Sequence, residues 1–361
     1  MFISALLVDY LTWRWLFALP VLLVIVARAM TWRAIPGVHE RPTTRFDLQG
    51  SLLSIAAIVG MITFLHEGPT QGWTAGTTLC AAVLGVGATL AFVAWELRHE
   101  APLLKISFFR RRGLATGSTA LLIWFGVQTG VFIVLYPFFQ AVLGWSGLRA
   151  TAGLMPIAIL MMGFPGVAPQ LAKRIGAHYT LAAGALSGCI GLALIASMVS
   201  VDGGYLTVLP GMLVMGMGMG LSMAPATEAI TASLRDENQG VASALNDVTR
   251  EFGGALGVAL LGAVFAAGYE TSIVVQLQGI PADVAAVAER GIANALTLAA
   301  SGGPYAEELQ TAARHAFVQG WRQAIWAGST MLGLLLVFVL ARGPHQRRAL
   351  EEKNVETSIS K

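Results

Sequence analysis

Apolar residues fall along this chain in nine long runs, not in an alternating or one-sided pattern, and each run is long enough to cross a bilayer as a helix. The runs lie at about 14–31, 49–66, 78–97, 114–140, 150–168, 179–199, 205–227, 243–267 and 317–341. They are continuous and rich in Leu, Ala, Gly and Met, whereas a membrane strand would alternate over about ten residues. The expected fold class is all-α, a polytopic membrane protein of about nine full spans. Polar positions collect between the runs. The interval 268–316 holds Pro281-Ala-Asp283 and Gly302-Gly-Pro304, each ahead of an Ala-rich stretch, which predicts two short helices outside the membrane.

Composition sharpens this picture. Charged residues are only 12% of the 361, about half the share in soluble domains, so a bilayer and not water is the expected solvent. The 41 glycines suit helices whose backbones approach closely. Cys80 and Cys189 both lie within apolar runs, without metal-ligand spacing or a partner His, so neither a metal nor a cofactor is expected. The net charge of +3 comes from basic residues at span ends, not from one patch, which argues against nucleic acid. A membrane-embedded enzyme lacks support, since there is no His-Glu-x-x-His and no Gly-x-Ser-x-Gly.

Basic residues also set an orientation. The loops and span ends that include Arg28, Arg33, Arg110 to Arg112, Lys173 and Arg174 carry 17 of the 23 Lys and Arg. The alternate set, Arg14, Arg149, Arg290, Arg314 and Arg322, carries five, and Arg250 lies inside a span. The richer side is the expected cytoplasmic one. This places the polar tail 342–361 in the cytoplasm and the chain in the inner (plasma) membrane. The apolar part of Met1 to Leu11 is too short to cross and lacks the basic start of a secretory signal, so it reads as the outer end of a helix.

Three spans carry candidate chemistry. Asn246, Asp247, Arg250 and Glu251 form the densest intramembrane polar group, and on a helix Asp247 shares a side with Arg250 at i+3 and Glu251 at i+4, so Arg250 can pair with either carboxylate. They are candidates for a gate or for proton coupling, with an interfacial structural role as the alternative. Trp124, Gln128, Tyr136 and Gln140 suit the lining of a cavity for bulky lipophilic or cationic small molecules, although Tyr and Trp also gather at membrane surfaces. Met215 and Met219 lie in the run Gly211-Met-Leu-Val-Met-Gly-Met-Gly-Met-Gly220, whose Gly216 and Gly220 predict a close helix contact. The methionines would there be packing residues or a plastic substrate wall. Pro156, Pro165 and Pro210 are expected to kink their helices, and Asp47 to cap one.

Several motifs together resemble one family. They are Trp13-Arg-Trp-Leu-Phe17, Phe46-Asp-Leu-Gln-Gly50, Pro102-Leu-Leu with Phe108-Phe-Arg-Arg-Arg112, the spacing of Tyr136, Gln140, Gly144, Ser146, Gly153 and Pro156, and Gly240-Val-Ala-Ser with Asn246, Arg250, Gly253-Gly and Gly257. In this order they resemble the 14-span drug:proton antiporter branch of the major facilitator superfamily, the EmrB/QacA type. The resemblance aligns the nine runs with that family's sixth to fourteenth spans. It implies a remnant of the first bundle at 1–45, a central two-helix linker at 46–113, and a six-helix bundle at 114–341 with the external loop 268–316. It implies proton-coupled export of small molecules, with protons and the lipid bilayer as the other partners. The first four spans of the pattern and most of the fifth have no counterpart here. Transport would then need those helices from a separate chain or from an upstream start, and a non-transporting membrane remnant or scaffold is the other reading.

Overall fold

In the computed structural model every regular element among the described residues is a helix, as the continuous apolar runs predict. The described residues are 14–34, 47–99, 108, 111–234 and 238–342, so the expectations for 1–11, for most of the basic stretch 98–113 and for the tail beyond 342 lie outside them. The helices are α1 (Trp15–Ala34), α2 (Leu48–Gln71), α3 (Gly76–Glu96), α4 (Arg112–Pro137) with a π-helical turn at Phe138–Val142, and α5 (Gly147–Gly153). They continue as α6 (Met155–Ile175), α7 (Ala177–Met198), a 3₁₀ turn at Tyr205–Thr207, and α8 (Leu209–Thr231). The last are α9 (Gln239–Gln276), α10 (Ala282–Ala288), α11 (Ile292–Ala300) and α12 (Ala306–Arg342). Eight segments are long and apolar enough to cross a membrane, and they coincide with the second to ninth predicted runs. Helix α1 covers the first run and stands outside those eight, its apolar residues exposed almost throughout.

Helices α2 and α3 form a hairpin. At its closed turn Gly72 adopts φ 95° and the Trp73 ring packs edge-on to Phe64 at 5.4 Å. At its open end Asp47 caps α2 by accepting from the Gly50 amide at 2.9 Å, as the sequence predicts, and also accepts from Trp95 Nε1 at 3.0 and 3.1 Å. One carboxylate thereby ties both helices. The Gly50 bond holds its carboxyl below the ordinary carboxylate range, against the opposing pull of burial and with help from Trp95.

The larger body consists of α4, α6, α7, α8, α9 and α12. Lipid tails are as apolar as leucine, so close packing of small residues does the work that water exclusion does in soluble cores. Helices α7 and α8 run antiparallel with Gly184 and Gly191 on one against Gly218 and Gly211 on the other. Gly216 and Gly220 face α6 at Ile157 and Phe164, the close contact their spacing predicts. Helices α4 and α9 run parallel, Gly126 and Gly130 meeting Gly253 and Gly257 so closely that a Cβ on Gly257 would lie 1.8 Å from the Gly126 carbonyl oxygen. Hydrogen bonds from Ser329 Oγ to Cys189 O and from Arg322 to Val199 O, both 3.0 Å, tie α12 to α7 and its exit.

Two local expectations need correction. Pro156 and Pro210 sit in the first turns of α6 and α8, where proline lacks only an amide that has no helical partner, so they start helices and do not kink them; Pro165 is inside α6. Between α9 and α12 the first Ala-rich stretch breaks into α10 and α11 at Gly291, whose φ of 140° no helix accepts. The second forms no separate helix: from Ala306 nothing interrupts the run into the last span, and α12 extends for 37 residues.

Candidate functional site

Helices α4, α6, α8 and α9 leave between them a cavity of about 660 Å³. It lies toward the end of the bundle where α8 turns into α9. Helix α4 contributes Leu121, Phe125 and Gln128; α6 contributes Met161 and Pro165; α8 contributes Met219, Met223, Thr227, Glu228 and Thr231; α9 contributes Arg250. Helical spacing explains the wall of α8, since residues 219, 223 and 227 recur every fourth position and share one face. Leu121 and Met219 are buried at its floor, while Glu228 and Arg250 are exposed at its mouth.

The polar groups of this cavity are not matched to one another. The Arg250 guanidinium lies over the Phe125 ring, 4.4 Å from its centroid, a cation–π contact that leaves its edge free to donate. Asp247 and Glu251 are exposed, and no ion pair joins either of them, or Glu228, to Arg250 among the described residues. Gln128 Oε1 is buried in the wall with no hydrogen-bond partner, and Asn246 Oδ1 on α9 is in the same condition. An unsatisfied buried amide oxygen costs about 1–3 kcal/mol, so a ligand or a water that donates to Gln128 is favoured.

Of the residues singled out from sequence, the structure brings Gln128, Met219 and Arg250 to this cavity and places the others elsewhere. Trp124 is fully buried in the core, its ring against Gly188, and does not line the cavity. Met215 is buried against Gly191. Tyr136 and Gln140 sit toward the opposite end of the bundle, where Tyr136 Oη donates to Gly147 O at 3.3 Å and Gln140 is exposed on the π-helical turn. That end is closed by rings: Trp145 stacks on Phe139 at 5.4 Å and packs against Tyr205 at 5.3 Å, and Arg149 covers Trp145 at 4.4 Å. Tyr205 Oη donates to Gly153 O at 2.8 Å, and burial pushes this phenol above the ordinary tyrosine range.

Glu228 escapes the sequence reading. Hydropathy ends the seventh run at residue 227, whereas the helix continues to Thr231, and the one further turn carries the cavity's only acidic group among the described residues. Its signal was an acid four residues beyond Ala224 on the face that already held Met219 and Met223.

A second space of about 740 Å³ separates the α2–α3 hairpin from α9, lined by Ser51, Ser54, Met61, Thr89, Phe92 and Phe252 among others. Its hydroxyls are already bonded within their own helices, Ser51 to Asp47 O, Ser54 to Ser51 O and Thr89 to Gly85 O. It offers a ligand apolar surface and little polar recognition.

Comparison with known proteins agrees with a transport body and not an enzyme. The chain is 31% identical over 258 residues to the cephamycin export protein CmcT of Amycolatopsis lactamdurans, covering 70% of this chain and 53% of that one. It is 28% identical over 262 residues to the multidrug transporter protein MdtP of Bacillus subtilis, and 25% identical over 268 residues to the quinolone resistance protein NorB of Staphylococcus aureus. These matches cover 72% and 73% of this chain and 48% and 58% of those relatives, so the chain spans about half the length of the curated relatives it matches. Residues 1–258 match the model of the Major Facilitator Superfamily, and with its all-helical, multi-pass architecture this chain belongs to that family of transporters.

Proposed function

We propose that the chain works in proton-coupled export of small lipophilic compounds, amphiphilic cations among them, of the kind the 14-span drug antiporter branch performs. The cavity between α4, α6, α8 and α9 is the substrate-facing wall, and the opposing wall comes from helices beyond those described here, on this polypeptide or a separate one. In such transporters the substrate site lies between two bundles that rock against each other. The single observation that carries the reading is the meeting of Gln128, Met219 and Arg250, from three helices, at one open and mostly apolar cavity.

In this reading residues 114–341 are the second bundle, 46–113 a linking pair, 1–45 the end of the first bundle and 342–361 a cytoplasmic tail. The end of the bundle bearing Glu228 and Arg250 faces the cytoplasm, following the excess of basic residues on that side. Asn246, Asp247, Arg250 and Glu251 form the gate, where a carboxylate exchanges protons during the cycle. Recognition by apolar contact fits the relatives, which bear names for cephamycin export, multidrug transport and quinolone resistance.

The test is efflux of fluorescent lipophilic probes, cationic, anionic and zwitterionic in turn, from proteoliposomes under an imposed proton gradient, with the chain alone and with co-purified helices that complete the first bundle. Gradient-dependent efflux that requires the completing helices, and that is lost in Met219→Trp, is the expected result. Absence of efflux in both preparations would sink the transport reading in favour of a membrane scaffold.

A further inference from the structure

We infer that the cavity selects zwitterionic lipophilic compounds, seating their carboxylate on Arg250 and their ammonium on Glu228. The inference rests on the proposal above that this cavity is the substrate site, and it goes further by naming the substrate's charge pattern.

The argument begins with the two charges. Arg250 on α9 and Glu228 on α8 line one cavity of about 660 Å³, and neither is spent on an ion pair among the described residues. A pure cation would be drawn by Glu228 but opposed by the Arg250 guanidinium. A pure anion meets the reverse. A molecule carrying both groups satisfies both walls, each of its charges meeting an opposite one as it leaves water, which offsets the cost of desolvating them.

The neighbours fit this division. Phe125 holds the guanidinium from one face at 4.4 Å, which fixes its plane and leaves the N–H edge for a carboxylate. Gln128 Oε1, buried and unpartnered, is an additional acceptor for an ammonium. Asp247 and Glu251 lie on the same helix as Arg250 but do not line the cavity, so Glu228 is its acidic group among the described residues. The same wall holds Met161, Met219 and Met223, flexible thioethers that accept varied apolar bodies.

A matched set of probes separates the possibilities: Nε-dansyl-lysine as the zwitterion, its methyl ester as the cation, and its Nα-acetyl derivative as the anion. Binding to the full chain in lipid nanodiscs is read from dansyl fluorescence. The zwitterion should bind about tenfold or more tightly than either partner, since each charge-assisted hydrogen bond contributes on that order. Glu228→Gln should bring the zwitterion down to the affinity of the anion, and Arg250→Gln down to that of the cation. Equal affinities for the three probes, or a zwitterion preference that survives both variants, overturns the inference. Met219→Trp, which fills the cavity floor, tells this failure from that of the site itself: if it abolishes binding of all three probes the cavity stands as the site, and if it leaves all three unchanged both proposals fall.

Discussion

The two ends of the six-helix body are built from the same helices and have opposite characters. Near the α4–α5 junction Phe139, Trp145 and Tyr205 pack ring on ring and Arg149 covers the outermost, so no open space remains between them. At the other end α4, α6, α8 and α9 carry thin or flexible side chains, and there the cavity opens with Arg250 and Glu228 at its mouth. Aromatic residues therefore seal this protein more than they line it. The teaching is that an intramembrane aromatic reports mass to be packed, while charges such as Arg250 and Glu228 report a space open to water or ligand, because a bare charge is costly in hydrocarbon.

The parallel crossing of α4 and α9 holds both ends in register, and it is the place to break the comparison altogether. Gly257→Val puts a branched side chain where even a Cβ would stand 1.8 Å from the Gly126 carbonyl, and the obstacle is backbone, which cannot rotate away. Loss of monodisperse protein on size exclusion in detergent is expected. Gly262→Ala, which meets nothing within 4 Å, should behave as the parent and so shows that the effect is contact and not helix propensity.

A smaller change separates packing from lining. Trp124 and Phe125 are adjacent, yet the first is fully buried in the core and the second is part of the cavity wall under Arg250. Trp124→Ala should lower stability by about 3–5 kcal/mol, the usual cost of emptying a large buried ring. Phe125→Ala should cost less, about 1–2 kcal/mol, since the ring is half-buried beside the core and holds one cation–π contact, while weakening ligand binding. Thermal unfolding followed by intrinsic fluorescence and by binding reads the two effects apart, and equal destabilisation would erase the distinction between wall and core.

How legible this was in the sequence follows from the same pair of residues. Helix type and eight of the nine expected spans were readable because lipid imposes them on each segment separately, and Gly216 with Gly220 announced a contact because only a close neighbour rewards two small residues one turn apart. Which partner they meet was not readable, nor was the face of α4 that turns inward: Trp124 and Gln128 are one turn apart, and only the position of α7, whose Gly188 makes room for the indole, sends one to the core and leaves the other at the cavity. Glu228 was missed for a different reason. Hydropathy measures where apolar residues stop, whereas the backbone hydrogen bonds of α8 continue one turn further.

The smallest perturbation tests the sealed end alone. Tyr205→Phe keeps the ring against Phe139 and Trp145 and removes only the hydroxyl that donates to Gly153 O, so near neutral pH it should cost about 1 kcal/mol. Burial favours the neutral phenol in the folded protein, raising its pKa, so the stabilisation it reports is complete below the ordinary value of 10.0 and is lost as pH rises through the folded-state pKa. The parent should therefore lose stability above about pH 10 more steeply than Tyr205→Phe, and the gap between them should close from the alkaline side. Thermal midpoints measured between pH 7 and 11 give the answer: parallel curves would mean that Tyr205 is solvated and that the aromatic end is as open to water as the charged one.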